Sequence, residues 1–376
     1  MKRIAIFTRG GVSFPKSVGH VPALEALFSR LAEKNDVTIF TTSPYDEAAG
    51  TFTCGKATVH QIQACYDDSI IKKLRAYLIS FRRDHARKPF DLLHGFWALP
   101  GGFFAVTLGR ITRIPNVVTL LGAEAAAVRE INYGQLLRSR TRIPLLWTCR
   151  SATALTTMTQ FQEQELRRYG LRRPDIRTIP IGVDTTIFHR SRSKPVFPPL
   201  NLLHVANLTG VKDQETLLNA FRLIGNRIET KLRIIGPDYV NGKIHDTAKT
   251  LRVSDKVEFR GRLENTMLAE HYSWAHLLLH TSYYEGQGMV VAEAAACGTV
   301  TCGTRVGLVA DLEDKCTLAV DVGDHEGLAK KVIDLLNDGS RLKQLEQNSL
   351  DWARAHDLEW TVGQYEELYN ELLSMR

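Results

Sequence analysis

Cysteine is scarce in this chain of 376 residues. The six present (Cys54, Cys65, Cys149, Cys297, Cys302 and Cys316) are scattered and include no C-x-x-C pair. That excludes a zinc knuckle or a disulfide scaffold and reads as free thiols in a reducing cytoplasm. Long apolar runs are missing too. Residues 92–109 carry no formal charge, but Pro100 and the glycines at 95, 101, 102 and 109 interrupt them. A membrane-spanning helix wants about 20 mostly apolar residues, so this stretch reads as a strand, a glycine turn and a helix start. Met1-Lys2-Arg3 precedes an apolar run, Ile4 to Phe7, too short for a signal peptide, and the run reads as a first strand. No G-x-G-x-x-G follows a strand, and no G-x-S-x-G, H-E-x-x-H or D-x-D occurs. Gly11-Val-Ser-Phe-Pro-Lys16-Ser17 is no Walker loop, because Pro15 removes a backbone donor where such a loop has glycine. A D-x-D metal site is therefore not expected.

What is present is ordinary globular composition, 44% hydrophobic and 24% charged, which excludes a disordered or collagen-like chain. The length suggests two domains. The net charge of +7 conceals an asymmetry: residues 1–194 hold 29 basic and 15 acidic side chains, net +14, and the remainder 19 and 26, net −7. A uniform nucleic-acid binder need not look like that, and no nucleic-acid module accompanies the basic half.

Apolar periodicity repeats in both halves. Short β-rich runs (Ile4 to Phe7, Val37 to Thr41, Leu92 to His94, Val117 to Leu120, Ala154 to Thr157) alternate with helical stretches such as Val21 to Glu33. A polar, basic, proline-rich segment from His189 to Pro199 follows and reads as a linker. The alternation then restarts with Leu202 to Val205, Leu232 to Ile235, Val257 to Phe259, His276 to His280 and Val300 to Cys302, with helices at Glu215 to Ile224 and Met289 to Ala296. The fold class is therefore α/β, with two Rossmann-like parallel-sheet domains facing a cleft. The expected boundaries are 1–190, a linker at 191–200, a second domain at 201–356, and a terminal helix at 357–376.

The most informative segment runs from Thr281 to Gly298. A strand leads into a loop with Glu285 at its tip; Gly286 and Gly288 flank Gln287, and a helix begins at Met289. Glycine lets a backbone approach a ligand closely, and the first N–H groups of a helix suit an anion or sugar hydroxyls. Glu293, about one turn into the helix, would face the same crevice, so two carboxylates could grip different hydroxyls of one polar ligand. The plainer alternative makes Glu285 a helix cap and Glu293 solvated surface.

The spacing Glu285-x7-Glu293, followed by Gly298 and a strand, resembles the signature of retaining, nucleotide-sugar-dependent GT-B glycosyltransferases, family 4 or glycosyl transferases group 1. Other matching motifs are Pro180-Ile-Gly-Val-Asp184-x3-Phe188, Leu203-His-Val-Ala-Asn207-Leu-x3-Lys212-Asp, Leu232-Arg-Ile-Ile-Gly236, Val257-Glu-Phe-Arg-Gly261 and Trp360-x4-Tyr365-x3-Tyr369. The resemblance implies transfer of a sugar from a nucleotide diphosphate, without a metal or other cofactor, to a polysaccharide, lipid-linked or small-molecule acceptor. It assigns the diphosphate to Lys212, the donor sugar to Glu285 and the ribose to Glu293. Gly288 and Met289 add helix N–H groups, and Gly10 and Gly11 form the glycine loop of the first domain. Leaving-group charge must be stabilised by something cationic, which suits Lys212.

Two positions depart from the family pattern. Asn207 stands where an arginine is usual, so Arg9 or Arg305 would have to supply the missing charge. After Val117 to Leu120 the chain reads Leu121-Gly122-Ala123-Glu124, without the usual histidine. Gly122 and Glu124 remain candidates for the acceptor or donor-sugar side. These departures keep two rivals open: a catalytically silent sugar-nucleotide-binding subunit and a sugar-nucleotide epimerase. In the basic half, Ile70 to Lys88 places Ile70, Leu74, Tyr77, Leu78 and Phe81 on one helical face among seven cations. Such a helix suits either an anionic membrane surface or packing on the sheet. The expected location is cytoplasmic, with contact at the cytoplasmic face of a membrane left open.

Overall fold

The computed structural model describes residues 1–12, 21–42, 50–62, 70–191 and 193–375. Cys65, Lys16 and Ser17 lie outside the described residues.

The first sheet has eight strands: β1 (Arg3–Thr8), β2 (Asp36–Thr42), β3 (Gly50–Cys54), β4 (Ala57–Ile62), β5 (Leu92–Phe96), β6 (Asn116–Thr119), β7 (Ala154–Thr157) and β8 (Ile176–Thr178). Their order is β3-β4-β2-β1-β5-β6-β7-β8, parallel except for β3 against β4. The β3–β4 hairpin and β8 went unread in the sequence; β3 and β8 are the two edge strands, with mixed exposure and few apolar residues. Gly55 turns the hairpin at φ +56°.

The second sheet has β9 (Leu200–Val205), β10 (Thr230–Ile235), β11 (Val257–Phe259), β12 (Leu277–His280), β13 (Val300–Thr304) and β14 (Thr317–Val320), in the order β11-β10-β9-β12-β13-β14, all parallel. In each sheet the strand order reverses beside the first strand, between β1 and β5 in one and between β9 and β12 in the other. Open parallel sheets bind ligands beyond the carboxyl ends of their strands at such a switch point.

Contacts divide the chain into two units, the first comprising 1–127, 134–181 and 358–376 and the second 128–133 and 182–357. The crossing thus falls after Ile181, earlier than the expected boundary at 190, because Val183 and Phe188 belong to the core of the second unit with Leu203, Tyr272 and Leu278. The segment read as a linker is also docked there. Lys194 Nζ donates to Ala275 O and Thr299 Oγ1, both at 2.5 Å, and Ser191 N donates to Ser273 Oγ at 3.1 Å.

The terminal helix Leu358–Ser374 belongs to the first unit. Tyr369 Oη lies 2.6 Å from Nδ1 of buried His94 on β5, whose Nε2 lies 2.7 Å from Thr119 Oγ1 on β6. Tyr365 Oη meets the same threonine at 3.2 Å. Burial without a charged partner pushes His94 down to about 3, so it is a neutral, structural imidazole. Lys2 and Asn35 both hold Glu366 at 2.5 Å.

Helix Ile70–Arg87 resolves the choice left open by its amphipathic pattern. Tyr77 and Phe81 are fully buried in a cluster with Phe7, Phe40, Phe90 and Phe104, with Leu74 and Leu78 packed alongside. Each such side chain contributes roughly 1.5–3 kcal/mol by leaving water. The apolar face is therefore occupied by the core and is not free for lipid; Lys72, Arg75, Arg82, Arg83, Arg87 and exposed Ile79 form the outer face. No described helix is long and apolar enough to cross a membrane.

Candidate functional site

The two loops that leave β9 and β12 meet at the switch point of the second sheet. After β9 the chain makes a short turn, Gly210–Lys212, and enters helix Gln214–Gly225 through Asp213, which caps it by accepting from Thr216 N at 3.3 Å. The β12 loop is laced to this turn: Tyr283 N donates to Val211 O at 2.8 Å, and Thr281 Oγ1 donates to Asp213 O at 3.0 Å. That lacing brings Lys212 Nζ to Glu285 Oε1 at 2.5 Å.

Ser282 Oγ also donates to Oε1, at 2.8 Å, and His280 Nε2 stands 3.3 Å away. Three groups thus converge on one oxygen of Glu285. Burial raises this carboxyl, but the charge and hydrogen bond of Lys212, together with His280, outweigh it and hold the group well below the usual carboxylate range. Glu285 is therefore a fixed anion. Behind it lies His204 on β9, fully buried, with Nδ1 2.9 Å from Leu279 O and Nε2 unpartnered. Burial pushes His204 down to about 4.

The loop is braced from β13 as well. Leu308 N donates to Gln287 O at 2.7 Å, and Gly307 (φ +54°) lies so close that a Cβ there would meet Gln287 O at 2.4 Å and Glu285 Cβ at 2.9 Å. Gly288, at φ +83°, is the N-cap of helix Met289–Ala296 and gives it no side-chain cap. Glu285 is thus not a helix cap, and Gly286, Gln287, Gly288 and Met289 form the link from that carboxylate to the helix.

Glu293 is not solvated surface either. It is 7% exposed, and Tyr272 Oη donates to its Oε2 at 2.6 Å. Burial pushes its carboxyl up to about 7, against the opposing effect of the Tyr272 hydrogen bond. The two carboxylates therefore stand in separate hydrogen-bond networks rather than in one shared grip.

The remaining candidates fall into different roles. Asn207 is exposed at the end of β9, and its carbonyl accepts from Gln214 Nε2 at 3.3 Å. Arg305 pairs with Glu313 and lies 3.7 Å from Asp321, so its charge faces two carboxylates. In the first unit, Gly10 (φ +71°) and Gly11 (φ +85°) turn the chain out of β1, and a Cβ on Gly11 would meet Leu24 Cδ1 at 2.9 Å. Arg9 follows β1 and is half-buried. Glu124 is 1% exposed and accepts from Gly122 N at 2.8 Å, Leu121 N at 3.1 Å and Ala98 N at 3.4 Å. Its oxygens satisfy backbone amides, and burial raises its pKa, which is a loop-bracing role.

Sequence reasoning missed Ser282, His280, Gly307 and Tyr272. Ser282 and His280 precede Glu285 by three and five residues, and Gly307 follows β13 at the start of a short helix; Tyr272 carries no local sign of its partner twenty-one residues on. Among the described residues, no three His, Cys, Asp or Glu side chains are grouped to hold a metal ion. A cavity of ≈ 470 Å³ elsewhere in the second unit, lined by Phe188, Arg190, Ala296 and Arg354, contains none of the candidate residues.

With the geometry in view, the chain can be placed among known proteins. The family model described as glycosyl transferases group 1 matches residues 189–352, and a glycosyl transferase 4-like domain matches residues 18–182. The chain belongs to the group 1 glycosyl transferases. It is 26% identical over 309 residues to N-acetyl-alpha-D-glucosaminyl L-malate synthase of Bacillus anthracis, covering 76% of each chain. Among solved structures it resembles sucrose-phosphate synthase of Thermosynechococcus elongatus (TM-score 0.82, 22% identity, 100% of both chains). It also resembles Anabaena HepE in complex with UDP-glucose (TM-score 0.74, 16% identity, 99% of this chain and 100% of the other). These likenesses show the GT-B fold, and the chain is a glycosyltransferase.

Proposed function

We propose that this glycosyltransferase takes its sugar from a nucleotide diphosphate, holds that donor on the second unit, and transfers the sugar with retention to a glycan, lipid-linked or small-molecule acceptor. The observation that carries the reading is the Lys212–Glu285 pair at the switch point of β9 and β12. When the bond from the anomeric carbon to the diphosphate breaks, negative charge accumulates on the departing phosphates. An ammonium has three donors, so Lys212 can keep Glu285 and still offer N–H groups to that charge. Glu285, held ionised through one oxygen, turns a strong acceptor toward hydroxyls of the donor sugar, and Glu293 takes the ribose. The N–H groups at Gly288 and Met289 assist the phosphates.

In this reading Lys212 does the work a metal does elsewhere, so turnover is expected to survive EDTA. HepE, whose complex holds UDP-glucose, makes that compound the first donor to try. A screen of nucleoside diphosphates and their sugar conjugates by thermal shift, followed by transfer assays, tests the proposal. Stabilisation by a conjugate with turnover supports it, and no response to any conjugate refutes it.

Exposed, neutral Asn207 favours a second reading, a subunit that binds the donor without turning it over, because the expected arginine is absent and Arg305 is engaged elsewhere. Binding by calorimetry with no transfer to any acceptor would select it. The cationic outer face of helix Ile70–Arg87 with exposed Ile79 supports contact with an anionic membrane through charge alone. Co-sedimentation with anionic vesicles that vanishes at high salt is the expected result.

A further inference from the structure

Tyr272 ends in a hydroxyl 2.6 Å from Glu293 Oε2, and its side chain is fully buried in the second unit. Its ring is fully buried in an edge-on contact with Phe188, centroids 6.2 Å apart. Its carbonyl accepts from Thr299 Oγ1 at 2.7 Å, and the same hydroxyl is gripped by Lys194 Nζ at 2.5 Å. Helix Asn265–Trp274, the strand-leading turn at Thr299, Phe188 and Lys194 thus converge on one tyrosine.

The carbonyl contacts are what the last turn of a helix requires, so the feature that calls for a reason is the hydroxyl's partner. A buried phenol needs a partner, but a buried carboxylate is an expensive one unless the pair has a further purpose. We infer that Tyr272 is a positioning residue for the donor nucleotide: by holding Oε2 of Glu293 it fixes the carboxylate so that Oε1 meets the ribose hydroxyls. This rests on the reading of Glu293 as the ribose contact. It adds that ribose selectivity depends on a residue that never touches the nucleotide, and that Phe188 and Lys194 support it from behind.

The test is a calorimetric titration of the wild-type enzyme, Tyr272→Phe, Glu293→Gln and the double variant with UDP and 2′-deoxy-UDP, or with the corresponding pair for whichever base binds. A hydrogen bond to a charged group is worth about tenfold in affinity, so the wild type is expected to prefer the ribonucleotide about tenfold. Tyr272→Phe should reduce that preference to under about threefold while leaving the deoxynucleotide affinity unchanged. In the double variant the second substitution should add little to the first. Equal weakening of both nucleotides by Tyr272→Phe, or an undiminished ribose preference, would overturn the positioning role. Nucleotide binding by the wild type with no ribose preference would instead overturn the Glu293 assignment, and this inference with it.

Discussion

Glu285 and Glu293 lie eight residues apart, both nearly out of water, and the protein treats them in opposite ways. At Glu285 a lysine from the β9 turn, a serine from the β12 loop and a histidine from β12 itself converge on one oxygen, and the carboxyl is held far down; at Glu293 helix Asn265–Trp274 supplies one tyrosine, and burial lifts the carboxyl to about 7. The same residue type is a permanent anion at the loop tip and a group poised between states one turn inside the helix. Compensating charge, rather than depth, makes the difference. A site that must face leaving-group charge and sugar hydroxyls together has use for both.

The largest effect expected from this contrast is on turnover. Lys212→Ala strips Glu285 of its compensating charge and should lower transfer by roughly 10²–10³-fold, the range for loss of one preorganised electrostatic contact. Glu285→Gln should fall in the same range by steady-state assay, and near-wild-type turnover in both variants would break the comparison. Next comes Gly307→Ala, whose new methyl collides with Gln287 O and Glu285 Cβ. It should cost on the order of tenfold in turnover, since small misplacements of a reacting group are expensive, while leaving ribose selectivity intact; equal loss of both would mean that loop and helix move as one.

Stability against pH sharpens the contrast through its sign. Glu293 keeps its proton in the folded state up to about 7 and loses it near the ordinary glutamate value when unfolded. The folded state therefore binds more protons between those values, and stability falls as pH rises through them, by at most about 1.4 kcal/mol per pH unit. Glu293→Gln should flatten that slope in urea titrations. Glu285 acts in reverse: its contribution is present above the ordinary glutamate value and is lost as pH falls toward its own depressed one. The stability gap between wild type and Glu285→Gln should close on acidification, and a gap that widens would contradict the assignment. The smallest effect belongs to Arg305→Ala. An exposed ion pair is worth about 0–1 kcal/mol, so no more than about a fivefold change in turnover is expected; a larger loss would restore Arg305 as the stand-in for the missing arginine.

Much of this architecture was written in local pattern. Apolar runs between helical stretches announced both parallel sheets, and the loop glycines with Glu285 and the helix at Met289 announced the place of the site. What escaped were partnerships between distant residues. Glu124, a candidate for the acceptor or donor-sugar side, accepts from backbone amides, and the Arg305 charge faces Glu313; nothing nearby in sequence shows those partnerships. The apolar face of Ile70–Arg87 had two consistent destinations, and only packing with Phe7, Phe40 and Phe104 selects the core. The proline-rich segment from His189 to Pro199 lacks periodicity, and residues 193–199 take neither helix nor strand, but periodicity is silent about Lys194 anchoring to Ala275 and Thr299.

The central claim is that Lys212, paired with Glu285, receives the diphosphate of the donor. Titration of wild type and Lys212→Ala with a nucleoside and with its diphosphate tests it most directly. The account predicts at least tenfold weaker binding of the diphosphate by the variant and unchanged binding of the nucleoside. Equal diphosphate affinity in the two proteins would contradict it.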